Sequence, residues 1–203
     1  LIVITGHGAE QVETTLGGRG LTFVRQMPQL GTGHAIQQTV PALGDAGTTL
    51  VLNGDVPLIR TETAAALAAA SGGNNLALLT IELADATGYG RIVRDGGSVK
   101  AIVEHKDASE GQRAIREVYT GMLAAPTAWL KRAVMALQNS NVQKEYYLTD
   151  IVAMAVAEGL PVVAVPAPNE TEVLGVNSPA QLADLERRYQ RRSSGTSSGA
   201  RGA

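Results

Sequence analysis

The segment Gln26–Ala35, QMPQLGTGHA, followed by Leu50–Ile59, LVLNGDVPLI, decides how this chain is read. In the first, Gly31 and Gly33 flank Thr32 just ahead of a predicted helix over His34–Val40. A glycine-rich turn that opens a helix presents free backbone N–H groups and the positive end of the helix dipole, an arrangement suited to an anion. The second segment is an apolar run that ends at Gly54-Asp55. A carboxylate at the carboxyl end of a buried strand lies where open α/β sheets bind their ligands. Together the two segments point to a phosphate-bearing substrate and a metal ion.

Strand and helix signals alternate on either side. Leu1-Ile2-Val3-Ile4-Thr5 is apolar and β-branched, turns at Gly6-His7-Gly8, and gives way to an amphipathic stretch over Ala9–Leu16. Leu21–Arg25 reads as a second strand, and the helix over Gly33–Val40 stops at Pro41. Thr48–Asn53 is continuously apolar, which predicts a strand buried on both faces. Glu62–Ala70 is an alanine-rich helix closed by Ser71-Gly72-Gly73. This alternation predicts a doubly wound α/β sheet.

The pattern then changes. Leu76–Leu83, Gly90–Arg94 and Val99–Glu104 read as strands, with Asp95-Gly96-Gly97 a hairpin turn between the last two. Pro126–Leu137 and Tyr147–Glu158 read as helices, the second stopped by Gly159 and Pro161, and Pro161–Val165 as a further strand. A last helix over Ser178–Tyr189 has Ser178 as N-cap and Pro179 at its first position. Arg191–Ala203, RRSSGTSSGARGA, carries no apolar periodicity and predicts a disordered tail or linker, which bounds the folded domain at residues 1–190.

Composition narrows the function classes. The 203 residues are 44% hydrophobic and 18% charged, enough for one domain with a sizeable core. A formal net charge of −2 gives no field favouring nucleic acid or an anionic membrane surface. With no cysteine there is no disulfide, thiolate nucleophile or cysteine metal site, which fits a reducing, cytoplasmic compartment. No apolar run approaches the roughly 20 residues of a membrane span. His7, His34 and His105 lack metal-ligand spacing, and His34, near a helix start, reads as packed or capping. No Ser-His-Asp or paired-carboxylate pattern argues for hydrolysis.

Seven segments occur in order: QLGTGHA, NGDVPL, TGYGRI (Thr87–Ile92), IVEHKD (Ile102–Asp107), YTG (Tyr119–Gly121), EYYLTDI (Glu145–Ile151) and GVN (Gly175–Asn177). On these the chain, from Leu1 to Gln190, resembles the sugar-nucleotidyltransferase domain of the bacterial bifunctional N-acetylglucosamine-1-phosphate uridyltransferase / glucosamine-1-phosphate acetyltransferase family. The resemblance implies a three-layer α/β/α nucleotide-diphospho-sugar transferase fold with a mixed, mostly parallel sheet. It implies that N-acetylglucosamine 1-phosphate attacks the α-phosphate of UTP, giving UDP-N-acetylglucosamine and pyrophosphate with Mg²⁺. Such an enzyme serves cytoplasmic peptidoglycan and lipopolysaccharide precursor synthesis.

By position in these motifs, the resemblance makes Asp55 and Asn177 the metal ligands. Both offer hard oxygen donors, and Mg²⁺ completes its octahedron with phosphates and waters. Gln26, Gly31 and Thr32 match the uracil-recognising positions. A glutamine amide carries both a donor and an acceptor, as an imide edge requires, and Gly31 lets the backbone approach the base. Gly90, Glu104 and Tyr119 match the cradle of the sugar and its N-acetyl group, Glu104 accepting from sugar hydroxyls. Tyr119 departs from the asparagine more usual before Thr-Gly. Asn53 and Gly54 line the ribose and sugar side. Glu145-Tyr146-Tyr147 and Thr149-Asp150 read either as a loop near the sugar or as first-turn capping, and stay outside the predicted site.

The family also opens with a buried strand and a glycine-rich loop carrying an arginine, then a lysine. No segment from Leu1 onward supplies these. The expectation is therefore an inactive chain, with unpaired backbone groups and an exposed apolar seam where that strand would lie. The left-handed β-helix acetyltransferase domain, on which the family's homotrimer is built, has no hexapeptide repeats here to represent it. Two alternatives stay open: a non-catalytic module binding a nucleotide sugar, and a related nucleotidyltransferase using another base or sugar.

Overall fold

The computed structural model describes residues 1–197. In chain order the elements are β1 (Ile2–Thr5), α1 (Ala9–Leu16), β2 (Thr22–Arg25), α2 (Thr32–Thr39), β3 (Thr48–Val51) and α3 (Thr61–Ser71). Then follow β4 (Leu76–Glu82), β5 (Gly90–Asp95), β6 (Ser98–Val103), α4 (Glu110–Arg113) and β7 (Glu117–Pro126). The chain continues through α5 (Thr127–Met135), α6 (Ile151–Ala157), β8 (Val162–Pro166) and α7 (Pro179–Ser197). Local chemistry accounts for several boundaries. Pro41 has no N–H to continue α2, and Val40–Ala42 closes it as a 3-10 turn. Gly96 and Gly97, both at positive φ (54° and 84°), make the tight β5–β6 turn. The Ser178 hydroxyl accepts from the Gln181 N–H at 3.2 Å and caps α7.

The main sheet runs β6-β5-β7-β4-β8, with β3 also paired to β7. Leucines alternate across it. Leu76 and Leu78 face α2, α5 and α6 through Ile36, Leu130 and Ile151, while Ala77 and Leu79 face α3 through Leu67. Helices therefore cover both faces, and the architecture is α/β/α. The sheet is mixed, as expected. By strand direction β3, β4, β5 and β8 agree, and β6 and β7 oppose them. By pairing, β1–β2 and β4–β8 are the only parallel strand pairs among the described residues, because β7 is inserted antiparallel between strands that share a direction. The expectation of a mostly parallel sheet is corrected to that extent.

β7 is the hub, and it organises the site. Its C-terminal half pairs with β3 (Val51 opposite Leu123), and its N-terminal half pairs with β5 (Gly90 opposite Tyr119). Leu123 also pairs with Leu78 of β4, so β3 and β5 share the other edge of β7 and leave a gap at residues 120–122. At the same place the β4–β7 register shifts, from Leu78 opposite Leu123 to Thr80 opposite Tyr119, so β7 bulges there. A sheet split along one edge gives a crevice at strand ends, the usual ligand position in open α/β sheets.

Three expectations are corrected. β3 ends at Val51 and is only half-buried, not buried on both faces, because β7 is its one partner strand. β1 pairs with β2 in a separate two-stranded sheet, and a groove of about 580 Å³ lined by Leu1–Ile4 and Thr48–Gly54 separates β1 from β3. α7 runs on to Ser197, past the predicted boundary at 190. No proline interrupts that stretch, and each further residue of an established helix adds a backbone hydrogen bond. The rest of the predicted tail, 198–203, lies outside the described residues.

Candidate active site

The Gln26–Gly33 loop is shaped by a close backbone packing. Gly31 sits at φ 104°, and a Cβ there would lie 2.7 Å from the Tyr146 carbonyl oxygen and 2.9 Å from Glu145 Cβ. A Cβ on Gly33 would lie 2.5 Å from Leu137 Cδ1. The Gly33 N–H donates to the Tyr146 carbonyl at 2.7 Å, and the Tyr146 N–H donates to the Leu30 carbonyl at 2.8 Å. The open side of Gly31 is therefore taken by Glu145–Tyr146 of the same chain. Gln26 is 9% exposed, and its Nε2 donates to the Gly31 carbonyl at 2.9 Å and lies 3.2 Å from His34 Nδ1. The Thr32 hydroxyl accepts from the Leu148 N–H at 3.1 Å, so it holds the two loops together.

Past β3 the chain enters the split. Asn53 Nδ2 donates to the Thr120 carbonyl at 3.1 Å, at the bulge of β7. Gly121 there is at φ 90°, and a Cβ on it would fall 2.2 Å from Asn53 Nδ2, so only glycine leaves Asn53 this seat. Asp55 follows on the exposed turn after Gly54. Its carbonyl accepts from the Val176 N–H at 2.9 Å, which draws the Gly175–Asn177 segment alongside. Asp55 Oδ2 and Asn177 Nδ2 lie 3.4 Å and 3.8 Å from the position of a Cβ on Gly175. The carboxylate and the carboxamide thus stand over the same glycine. The turn before them is anchored by Glu172, 1% exposed, which accepts from the Thr63 hydroxyl at 2.5 Å and Asn169 Nδ2 at 2.9 Å and pairs with Arg60 at 3.2 Å.

On the far side, a Cβ on Gly90 would lie 2.7 Å from Ile102 Cγ2 and 3.6 Å from Glu104 Oε2, so the glycine keeps the approach to that carboxylate clear. Thr149 donates its hydroxyl to Glu104 Oε1 at 2.9 Å. Burial pushes the Glu104 carboxyl above the usual range; the Thr149 bond opposes this, and the Asp150, Asp107 and Glu145 carboxylates reinforce it. Asp107 and Asp150 line a neighbouring pocket of about 300 Å³ that shares Glu104 as a wall. There the Tyr147 hydroxyl donates to Asp107 at 3.1 Å and is pushed up to about 12, first by burial and then by that bond. Tyr119 is 7% exposed, its ring belongs to the core, and its hydroxyl is buried with no partner. Arg91, 2% exposed, donates to the Tyr89 carbonyl and lies 3.3 Å from His105 Nδ1, tying the Gly88–Gly90 loop to the residue after Glu104.

One cavity of about 410 Å³ gathers Thr32, Asn53, Gly54, Asp55, Gly90, Glu104 and Tyr119. Gln26 and Gly31 adjoin it through the bond between them, and Asn177 through Asp55; these three do not line it. Sequence reasoning missed Thr149 and Tyr146. Thr149 grips Glu104, and Tyr146 wedges the glycine turn. Their one sequence signal, the EYYLTD run, reads equally as helix capping. It also missed His34 beside Gln26, and Tyr89 on the cavity wall.

A split sheet with a carboxylate beyond a strand end and a nucleotide-sized cavity in the split is the build of a nucleoside-triphosphate transferase. The chain belongs to the MobA-like NTP transferase domain family, whose model matches residues 1–139. It is similar to the bifunctional protein GlmU of Methylibium petroleiphilum, 66% identical over 200 residues, 95% of this chain and 44% of that protein. It is also similar to the bifunctional protein GlmU of Paracidovorax citrulli, 59% identical over 194 residues, 93% of this chain and 41% of that protein. The chain thus spans less than half the length of these curated relatives. Among solved structures, apo UDP-glucose pyrophosphorylase superposes with a TM-score of 0.66 at 16% identity, covering 95% of this chain and 81% of that one. At that identity the likeness shows the nucleotide-sugar transferase fold alone. No helix among the described residues is long and apolar enough to cross a membrane.

Proposed function

We propose that this domain serves, within a longer protein, the formation of UDP-N-acetylglucosamine and pyrophosphate from UTP and N-acetylglucosamine 1-phosphate, and that the 203-residue chain alone binds these ligands with little or no turnover. The observation that carries the reading is the single cavity in which a helix N-terminus, the Asp55 carboxylate and the Glu104 carboxylate face one ligand-sized space. The similarity to bifunctional GlmU proteins supports the choice of base and sugar.

Each residue has a chemical part in this reading. Gln26 and the backbone at Gly31 and Thr32 read the uracil edge. Asn53, held by the Thr120 carbonyl, presents its side chain beside the ribose. Glu104, fixed by Thr149, accepts from sugar hydroxyls through its free oxygen, and the bare Cα of Gly90 leaves room for the ring. Tyr119 closes the cavity floor with its ring. Asp55 and Asn177 fit a Mg²⁺ ion: both carry hard oxygens and stand over Gly175, where no side chain intrudes. Among the described residues no cluster of three or more acidic or histidine side chains gathers there, so phosphate and water oxygens complete the shell. When bound, the ion neutralises phosphate charge that otherwise repels the incoming sugar phosphate.

Calorimetric titration of the chain with UDP-N-acetylglucosamine tests this. Binding is expected to strengthen with Mg²⁺, to lose that dependence in Asp55→Ala, and to fall at least about tenfold in Glu104→Ala, where a charge-assisted bond is lost. Equal affinity for the wild type and both variants would sink the reading.

A further inference from the structure

We propose that His34 is a positioning residue that fixes the orientation of the Gln26 amide and thereby makes this site select a base with an imide N–H over cytosine. The inference rests on the uridine reading above and adds to it the device that sets the choice of base.

The argument begins with what each atom is able to do. Gln26 Nε2 lies 2.9 Å from the Gly31 carbonyl, and a carbonyl only accepts. The amide atom facing it must be the NH₂. The second hydrogen of that NH₂ faces His34 Nδ1 at 3.2 Å, so Nδ1 must carry the lone pair and the ring proton must sit on Nε2. Were the amide reversed, its oxygen would meet the Gly31 carbonyl lone pairs, and only a protonated Nδ1 would compensate. The imidazole is itself held, its ring 6.1 Å from that of Tyr146 and tilted by 30°. The Gly31 carbonyl is held too, since it also accepts from the Ala35 N–H at 3.1 Å in the first turn of α2.

The consequence lies at the other amide atom. No donor among the described residues reaches Gln26 Oε1, and that oxygen is not sealed away. The one Gln26 atom left for a ligand is therefore an acceptor. Uracil and thymine present an N3–H to it. Cytosine presents a bare N3, which repels it, and pairs only with the reversed amide that Gly31 and His34 oppose. A glutamine able to turn freely would read both bases.

The test is UTP and CTP binding to the chain, compared in the wild type, His34→Ala and His34→Asn, with dTTP as a second imide base. Asparagine places its Oδ1 near the site of Nδ1 and keeps the acceptor. Expected is a UTP-over-CTP preference that shrinks about tenfold in His34→Ala, the scale of one hydrogen bond. His34→Asn is expected to restore it, and the UTP:dTTP ratio to stay constant throughout. Independently, ¹⁵N NMR of the ligand-free wild type at mildly alkaline pH is expected to show an unprotonated Nδ1 and a protonated Nε2 on His34. UTP and CTP weakening equally in His34→Ala, no rescue by asparagine, or the opposite tautomer would each overturn the proposal. A wild type with no UTP preference overturns the uridine reading itself, a failure separable from this one because the tautomer is read without nucleotide.

Discussion

Glu104 carries a conflict between ligand recognition and stability. Its carboxyl is raised in the folded chain mainly by burial, so the native state holds that proton more tightly than the unfolded chain does. The sign follows: Glu104 supports the fold below the ordinary glutamate value of 4.5, and this support is lost as pH rises through its raised value. At neutral pH the ionised carboxylate is therefore a burden on the fold. Glu104→Gln is expected to melt at a higher temperature than wild type at neutral pH, with the gap closing in acid, while sugar-nucleotide binding weakens. Calorimetric melts across pH check this; a variant less stable at neutral pH would contradict it. Several such residues are legible from sequence because they end a motif: Asp55 after an apolar run, Glu104 at the end of a strand. Thr149, His34 and Glu172 are not, because their work is to hold another side chain, and neither spacing nor composition marks a partner 45, 8 or 109 residues away.

At the scale of elements, β7 does most to build the site and left the least trace in the sequence. EVYTGMLAAP has no polar–apolar alternation because β7 is nearly all buried between two neighbours, and a glycine, Gly121, interrupts its middle. In the fold that glycine is the bulge that seats Asn53. Gly121→Ala must either abandon φ 90° or push Asn53 from the Thr120 carbonyl, at a cost of about 2 kcal/mol. The expected result is a lower denaturation midpoint together with weaker nucleotide-sugar binding. Gly111→Ala, with open space around it, is expected to change neither. The elements that were legible are those with local punctuation: α1 between Gly8 and Gly17, α3 closed by Gly72, the Gly96-Gly97 hairpin, and the start of α7 behind Ser178-Pro179. Thr48–Val51 misled because an apolar run records hydrophobicity and not the number of neighbouring strands.

Across the whole molecule, Gln26 on one side of the cavity and Asp55, Gly90 and Glu104 on the other are carried by different sheets. Gln26 follows directly on β2, its N–H donating to the Thr5 carbonyl at the end of β1 at 2.8 Å, whereas Gly90 opens β5 of the main sheet, Glu104 follows its β6 and Asp55 sits on the turn beyond its β3. Between the two sheets run the open edges of β1 and β3, facing each other over the groove. The backbone amides of these edges lack the double flank that protects β4 and β7. In hydrogen–deuterium exchange this gives the molecule a soft front and a hard spine. Amides of Ile2–Thr5 are expected to exchange by local fraying, and those of Leu76–Leu79 and Leu123–Ala125 only when the whole domain opens. A nucleotide gripped from both sheets would slow the front and leave the spine unchanged, so the exchange clock of β1 doubles as a gauge of whether the cavity is filled.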